Sequence, residues 1–280
     1  MNSRSIAHIT IQEILDKYSV VLLDSYGVLI REFGLVNGAK TLVNSLIDAK
    51  KPFFVLTNDG SLLPKNTTLK YQNLGLNINH SNIITSGCAL KLFFKENSLI
   101  GANCVILGTN DTIKHVENAG GNHVLPDSNF EILIIGDQSG FQFTTTINSI
   151  INSIFHKLNN EEFINIILLN PDIIFPMKIN TWAYGPATIA IMIEEAIKYK
   201  FPKQNNYKLY CIGKPYKYLF DMVFNIYPTY NMVMLGDQIL TDIKGANEFG
   251  IDSVLINPQI PIDQLQELEK NLIPNFIMDL

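Results

Sequence analysis

The chain has 280 residues, 47% of them hydrophobic, and a net charge of −5. This length and apolar content support one large or two modest packed domains and exclude a disordered chain. The negative balance, with no basic block, argues against a nucleic-acid partner, although a small anionic ligand needs only a local positive site. No stretch approaches the roughly 20 apolar residues of a membrane span. Met1 to Thr10 lacks a signal-like apolar run, so we expect a cytoplasmic protein without a membrane partner.

The first third of the chain alternates predicted helices and strands. Thr10 and Glu13 form a capping-box pattern that opens a short helix. Val20–Asp24 is a short apolar run that ends in a carboxylate, which is typical of a buried parallel strand. The following predicted elements are a helix over Asn37–Asp48, a strand over Phe53–Thr57, a helix over Pro64–Gln72 and a strand over Ile83–Thr85. This order predicts a parallel, doubly wound α/β sheet.

The same alternation continues after Gly87, and no shift in composition marks a domain boundary. The predicted strands there are Cys104–Leu107, Ile132–Ile135, Ile164–Leu169, Leu209–Ile212, Val233–Leu235 and Ser253–Ile256, and the main helices are Thr144–Leu158 and Pro186–Tyr199. The sequence therefore predicts a further α/β region in the middle of the chain and a return to sheet and helix at its end.

Carboxylates follow two of the predicted strands. Asp24 ends the first buried strand, and Gly27 then permits a tight turn. Asp237 and Asp242 follow another strand and flank the start of a helix. Open α/β sheets bind ligands at the carboxyl ends of their strands, so these acids are candidates for a nucleophile and for ligands of a hard cation. Taken singly, each could instead cap a helix or lie in a loop.

Other strand ends carry groups that suit a phosphate. Thr57 and Asn58 follow a buried strand and offer a hydroxyl and an amide. Lys214 follows Gly213 after a later strand and provides a positive charge. Each has an ordinary reading, since Thr-Asn pairs cap helices and most lysines are solvated. Their common position at strand ends makes the set more specific than its members.

In this order, Asp24, Thr57, Lys214 and the pair Asp237 and Asp242 resemble the four motifs of the haloacid dehalogenase superfamily. The likeness extends to Ile84-Thr85-Ser86-Gly87, Asn170-Pro171-Asp172, Gly213-Lys214-Pro215 and Thr241-Asp242-Ile243. The interval between Asp24 and Thr57 is too short for a cap domain, whereas the interval between Thr57 and Lys214 accommodates a large one. This placement resembles the subclass of nitrophenyl phosphate, sugar-phosphate and nucleotide phosphatases with an α/β cap.

The resemblance implies a fold and a metal site. The fold would be a doubly wound, Rossmann-like parallel-sheet core over 1–86 and 186–280, with an inserted α/β cap over 87–185. Asp24 would attack phosphorus and form an aspartyl-phosphate that water hydrolyses. Asp24, the backbone carbonyl of Tyr26 and Asp237 would hold Mg²⁺, and Asp242 would orient the metal shell.

The resemblance also implies a substrate-binding set and a partner. Thr57 and the backbone of Asn58 would bind phosphoryl oxygens, and Lys214 would neutralise charge in the transition state. Asp59 is a smaller departure, because the subclass usually has small, neutral residues at this position near the mouth of the site. It is either a substitute proton carrier or a solvated loop acid, and we favour the second interpretation. The expected partner is a small phosphorylated metabolite. The sequence leaves the oligomeric state open, a homo-oligomer included.

Tyr26 departs from the pattern, because family phosphatases carry a second Asp two residues after the nucleophile. That Asp protonates the leaving oxygen and then activates water, whereas a phenol with a pKa near 10 is a poor base at neutral pH. Three interpretations follow: a phosphatase for good leaving groups such as aryl or acyl phosphates, a slow or inactive relative that binds a phosphorylated ligand, or a metal-independent dehalogenase, whose first motif carries Tyr here. The retained Asp237 and Asp242 favour the magnesium-dependent phosphatase.

Two further patterns are set aside. Gly136-Asp137-Gln138 echoes Gly236-Asp237-Gln238, but it lacks the Thr-Asp continuation and is interpreted as a loop after a cap strand. The five histidines show no metal-ligand spacing, and most are expected in surface or turn positions.

Overall fold

A computed structural model describes residues 6–178 and 180–280. Half of the N-terminal segment 1–10, residues 1–5, lies outside the described residues, so its lack of a signal-like run stays a prediction. The strands are β1 (Ala7–His8), β2 (Val20–Asp24), β3 (Ile30–Arg31), β4 (Gly34–Leu35), β5 (Phe53–Thr57), β6 (Ile83–Thr85), β7 (Asn103–Leu107), β8 (Asn122–His123), β9 (Ile132–Ile135), β10 (Ile164–Leu168), β11 (Ile174–Lys178), β12 (Thr181–Tyr184), β13 (Tyr207–Cys211), β14 (Met232–Gly236), β15 (Asp252–Ile256) and β16 (Phe276–Met278).

The helices are α1 (Ile11–Lys17), α2 (Ala39–Asp48), α3 (Pro64–Asn73), α4 (Ser86–Glu96), α5 (Asn110–Asn118), α6 (Phe143–Asn159), α7 (Pro186–Lys200), α8 (Tyr218–Ile226), α9 (Lys244–Phe249) and α10 (Ile262–Gln266), with a π-helical turn over Ile239–Ile243. Within the described part of the chain, none of them combines the length and the apolar character that a membrane crossing requires.

The chain forms two compact units. The first unit comprises the chain up to Thr57, Pro64–Ile84 and Lys214–Leu280, and the second comprises Asn58–Leu63 and Thr85–Gly213. The first unit is therefore assembled from three separate stretches of sequence.

The first unit is built on a seven-stranded sheet with the order β1-β16-β15-β14-β2-β5-β6. The strands from β1 to β5 along this order pair in parallel. All five residues of β2, β5 and β14 are buried, which explains why each strand reads as a short apolar run rather than an alternating one. The three strands lie side by side with β2 in the middle, so their carboxyl ends meet at one edge of the sheet.

The second unit contains a five-stranded parallel sheet with the order β13-β10-β9-β7-β8. Strand β13 pairs with β10 along its whole length, and apolar residues of α7 such as Ile189 and Ile193 are buried in the same core. This division differs from the boundary expected at residues 185 and 186, since α7 and β13 group with the second unit as far as Gly213.

Most predicted elements are present, with ends that differ by one or two residues. The capping box at Thr10 and Glu13 is formed, and β2, β5, β6 and β9 have the predicted bounds. Two antiparallel hairpins, β3–β4 and β11–β12, were not predicted. Neither hairpin shows a regular alternation, and Pro176 stands within the apolar run of β11, which argues against a strand at that place.

His115 is the one buried histidine of the five, and it packs inside the second unit. Its Nε2 lies 3.0 Å from the carbonyl oxygen of Leu62. Because a carbonyl can only accept, Nε2 carries the proton and donates it. Gly87 makes room for the ring, since a Cβ there would lie 2.4 Å from the imidazole. Burial lowers the pKa of His115 below its ordinary value, although the bond to Leu62 opposes this.

We expect His115 to contribute a loss of stability as the pH drops below about 6.5, which the raised pKa values of the buried acids Asp24 and Asp237 oppose. The folded state favours neutral His115, so its full contribution is present above the unfolded pKa and is lost as the pH falls toward the lower folded pKa. Urea unfolding between pH 7 and pH 5 measures the loss. His115→Gln should lose this contribution, so its free energy of unfolding should rise relative to that of the unaltered protein as the pH falls, while His156→Gln, at an exposed histidine, should show no such change. An unaltered slope in His115→Gln would contradict the assignment.

Candidate active site

Asp24 is the last residue of β2 and is almost fully buried at the sheet edge. Its register partner on β5 is Leu56, which places Thr57 one residue beyond it on the neighbouring strand. The backbone N–H of Ser25 donates to Asp24 Oδ1 at 2.7 Å. The Tyr71 hydroxyl donates to Ser25 Oγ at 2.7 Å and so fixes the first residue of the loop that follows β2. The carboxylate is therefore held by a strand on one side and by an anchored turn on the other.

Lys214 joins two acids that are far apart in sequence. Its Nζ lies 2.6 Å from Asp24 Oδ1 and 2.6 Å from Asp242 Oδ1. Lys214 and Asp242 are both buried, with 2% and 0% of their surfaces exposed. The other oxygen of Asp242, Oδ2, accepts from the backbone N–H of Gln238 at 3.1 Å. A buried charge needs such partners, because desolvation without them is costly.

Asp237 completes the cluster from the end of β14. A Cβ on Gly27 would lie 1.9 Å from Asp237 Oδ2, and Gly27 has a φ of +92°, so both space and backbone require glycine there. Asp237 Oδ1 is buried and has no hydrogen-bond partner among the described residues. Buried polar atoms are rarely left unsatisfied in proteins, so this oxygen indicates a ligand at the site.

The electrostatics of the cluster reflect crowded acids in a buried place. Burial, with the charge of Asp242, raises the pKa of Asp24 well above its usual range, although Lys214 opposes the shift. Burial and Asp242 also raise the pKa of Asp237 to about 7. Burial disfavours the charged form of Lys214, but Asp24 and Asp242 outweigh it and hold its pKa above the ordinary value. Additional positive charge here would stabilise the ionised forms of the acids.

The residues present fit a magnesium ion. One oxygen from each of Asp24, Asp237 and Asp242 lies within 4.8 Å of the others, and the described residues contain no second such group of three. All the available donors are oxygen atoms, which Mg²⁺ prefers. Three ionised carboxylates and one ammonium carry a net charge of −2, which a divalent cation would neutralise. Asp237 Oδ1 is a free ligand atom for the ion, since no other described residue bonds to it.

Tyr26 is half-buried, and its hydroxyl is engaged outside the acid cluster. It donates to Glu32 Oε2 at 2.5 Å, and Glu32 lies in the turn of the β3–β4 hairpin. The backbone of the same loop is fixed by hydrogen bonds from Gly27 N to the Ile30 carbonyl and from Ile30 N to the Ser25 carbonyl. Burial and the bond to Glu32 raise the pKa of Tyr26 to about 12. The Tyr26 hydroxyl therefore stays protonated at neutral pH, and its hydrogen bond goes to the Glu32 carboxylate.

The three residues after β5 differ in their surroundings. Thr57 belongs to the first unit and is buried at the end of β5. Asn58 belongs to the second unit, where its carbonyl oxygen accepts from Ser86 Oγ at 2.8 Å. Asp59 Oδ1 accepts from the backbone N–H and the hydroxyl of Ser61, at 2.8 and 2.6 Å. This geometry makes Asp59 the cap of a local turn, in line with the loop-acid interpretation.

The structure thus brings Asp24, Lys214, Asp237 and Asp242 together within one unit, as their strand-end positions predict. The sequence reasoning missed Glu32. Its contact with Tyr26 depends on the turn of a short hairpin for which the sequence gives no periodic signal, so only the folded backbone reveals it.

Comparison with known families places this site in context. Residues 21–122 match the family model described as haloacid dehalogenase-like hydrolase, and residues 211–271 match a second model for hydrolases of the same type. The first match contains Asp24 and Thr57, and the second contains Lys214, Asp237 and Asp242.

Individual proteins resemble the chain over most of its length. A dihydroxyacetone phosphatase of Corynebacterium glutamicum is 30% identical over 249 residues, covering 86% of this chain and 82% of that protein. The crystal structure of a possible sugar phosphatase from Cytophaga hutchinsonii superposes with a TM-score of 0.80 at 23% identity, covering 98% and 97% of the two chains. A glycerol phosphate phosphatase of Mycobacterium tuberculosis, solved in complex with magnesium, gives a TM-score of 0.77 at 18% identity, covering 94% and 75%.

Proposed function

Since this chain belongs to the haloacid dehalogenase-like hydrolases, we propose that it is a Mg²⁺-dependent phosphatase that hydrolyses a small phosphate ester through Asp24. The observation that carries the proposal is the buried cluster of Asp24, Lys214, Asp237 and Asp242, with an unsatisfied oxygen on Asp237. The relatives named as phosphatases support the reaction class.

In this proposal Asp24 is the nucleophile. One of its carboxylate oxygens forms a bond to phosphorus while the bond between phosphorus and the leaving oxygen breaks, which gives an aspartyl-phosphate and an alkoxide or phenoxide that takes its proton from solvent water. Water then attacks phosphorus, Asp24 is released as the carboxylate and inorganic phosphate leaves. Lys214 stabilises negative charge that develops on the phosphoryl oxygens, and it keeps Asp24 in place through their 2.6 Å contact. Thr57, at the end of β5 in the same unit, binds a remaining phosphoryl oxygen.

Asp24, Asp237 and the backbone carbonyl of Tyr26 would hold Mg²⁺, with Asp242 supporting the set through Lys214 and the Gln238 backbone. The ion would supply charge neutralisation between the carboxylates and the phosphoryl group.

The state of Tyr26 limits which esters the proposed enzyme turns over quickly. Its hydroxyl donates to Glu32 and therefore gives no proton to a leaving alkoxide. Leaving groups of low pKa need no such proton, so aryl and acyl phosphates are the preferred class. The same observation favours a second candidate, a weakly catalytic protein that binds a phosphorylated ligand. Phosphate release from esters with graded leaving groups separates the two, because the second candidate binds the ligand without turnover.

We expect Asp237→Asn to weaken Mg²⁺ binding by at least about tenfold, because the substitution removes a charged ligand. Isothermal titration with MgCl₂ measures this without any reaction. The matched control is Asp137→Asn, which alters the parallel Gly-Asp-Gln sequence after β9. Asp137 Oδ1 accepts from the backbone and hydroxyl of Ser139, so its loss should leave Mg²⁺ affinity unchanged. Equal affinity in both variants would remove Asp237 from the proposed metal site.

A further inference from the structure

Tyr71 belongs to α3 and is completely buried in the hydrophobic core of the first unit. Its backbone carbonyl accepts from the N–H groups of Leu74 and Leu76, at 3.0 Å each, so the end of α3 is fixed. The phenol hydroxyl donates to Ser25 Oγ at 2.7 Å, across 46 residues of sequence. Because a buried hydroxyl is costly without a partner, this bond ties α3 to the loop after β2.

Ser25 extends this connection to the Asp24 carboxylate. The Ser25 carbonyl accepts from the N–H groups of Leu29 and Ile30 at 2.9 and 3.0 Å, which folds the loop back on itself. The Ser25 N–H donates to Asp24 Oδ1 at 2.7 Å. Hydroxyl, carbonyl and N–H of one buried residue are therefore all bonded, and a rotation of its backbone would strain all three bonds.

The two hydrogen bonds to the Asp24 carboxylate both end on Oδ1. One comes from the Ser25 N–H at 2.7 Å and the other from Lys214 Nζ at 2.6 Å. Two donors on one oxygen fix the plane of the carboxylate, and neither bond goes to Oδ2. A carboxylate that attacks phosphorus must approach it in a defined direction, so the position of the Ser25 N–H bears on the reaction.

Tyr18 provides an internal comparison for Tyr71. It belongs to the same core with 3% of its surface exposed, and its hydroxyl donates to Asp252 Oδ2 at 2.6 Å. Asp252 is the first residue of β15, whereas Asp24 is the last residue of β2. Parallel strands keep their amino and carboxyl ends at opposite edges of the sheet. The hydroxyl of Tyr18 therefore bonds at the edge away from the acid cluster, and that of Tyr71 at the edge that carries it.

We propose that Tyr71 is a positioning residue whose hydroxyl, acting through Ser25, sets the angle at which the Asp24 carboxylate faces phosphorus. The proposal rests on the phosphatase function proposed above. The Tyr71 hydroxyl bonds to Ser25 rather than to a group that reacts. Its loss should therefore lower kcat more than it raises KM, because orientation of the nucleophile matters more in the transition state than in the bound ground state.

Steady-state kinetics with phenyl phosphate and saturating Mg²⁺ test the proposal on the full chain. Tyr71→Phe removes the hydroxyl and keeps the ring, and Tyr18→Phe makes the same change at the opposite edge. We expect kcat to fall about tenfold in Tyr71→Phe, with KM within about twofold, and both constants to stay within about twofold in Tyr18→Phe. Urea unfolding should show similar losses of stability, since each variant loses one buried hydrogen bond. Equal kcat values in the two variants would overturn the proposal.

Ser25→Ala breaks the same connection from its other end. Since Tyr71 is proposed to act only through Ser25, kcat in the double variant Tyr71→Phe/Ser25→Ala should equal that of either single variant. Losses that multiply in the double variant would show that Tyr71 acts by another route and would overturn the proposal.

A binding experiment tests the role of Tyr71 without turnover. Beryllium fluoride adds to an ionised carboxylate as an analogue of the phosphoryl group, and fluorine NMR with MgCl₂ present measures its affinity. We expect about tenfold weaker binding in Tyr71→Phe than in Tyr18→Phe, for the same reason of orientation. In a protein that releases no phosphate, this difference would support the positioning of Asp24 and refute the phosphatase function, while equal affinities would overturn both.

Discussion

Asp24→Asn is expected to reduce phosphate release by more than about 10³-fold, since removal of a covalent nucleophile leaves only the contributions of binding and positioning. The neutral amide also has less attraction for Lys214, whose Nζ lies 2.6 Å from Asp24 Oδ1. Steady-state phosphate release from phenyl phosphate measures the loss. Rapid quenching followed by mass spectrometry should detect a phosphate adduct on the peptide that contains Asp24 in the unaltered protein only.

The control for this substitution is Asp137→Asn, which changes a carboxylate at the end of a buried strand in the second unit. It should retain full activity. Unfolding in urea should show that both variants are folded, so that a loss of rate is assigned to chemistry. Phosphate release by Asp24→Asn at the rate of the control would end the nucleophile assignment.

The second large effect is expected from Tyr26→Asp. A carboxyl group at this position can protonate a leaving alkoxide and then activate water, and general acid-base catalysis of this kind contributes about 10²–10⁴ in rate. We therefore expect the rate for glycerol phosphate to rise by up to this factor and the rate for phenyl phosphate to change little. The dependence of log kcat/KM on the pKa of the leaving group, measured over a series of esters, should become shallower.

Tyr26→Phe isolates the hydroxyl from the ring. Because the hydroxyl donates to Glu32, its removal should leave the rates for both esters within about threefold of the original. A loss of more than tenfold in Tyr26→Phe would show that the phenol takes part in the reaction. An unchanged rate for alkyl esters in Tyr26→Asp would show that the absence of the acid is not what limits the enzyme.

The sequence predicted the central strands of the sheet because burial on both faces imposes short apolar runs. Strands β2 and β5 have the predicted bounds for this reason, and so has the edge strand β6, whose three residues are also buried. The two-residue edge strand β1, whose residues are both exposed, carries no comparable signal. The sequence also did not predict the boundary between the units, because the apolar patterns of α7 and β13 are compatible with packing in either unit. Only the pairing of β13 with β10 assigns them.

The sequence did predict that four side chains meet, because they stand at the ends of parallel strands and these ends lie at one edge of the sheet. They are Asp24, Lys214, Asp237 and Asp242. The direction of the Tyr26 side chain did not follow, because it depends on Glu32 in a hairpin turn.

The discontinuous first unit has a consequence for biosynthesis. Asp24 and Lys214 are 190 residues apart, so at about 5–20 residues per second the ribosome makes the lysine roughly 10–40 seconds after the acid. Strand β14, which pairs with both β2 and β15, appears later still. The second unit's sheet is by then complete. Strand β2 therefore lacks its partner β14 until the last quarter of the chain is translated. During this interval we expect the apolar nascent chain to depend most on chaperone binding.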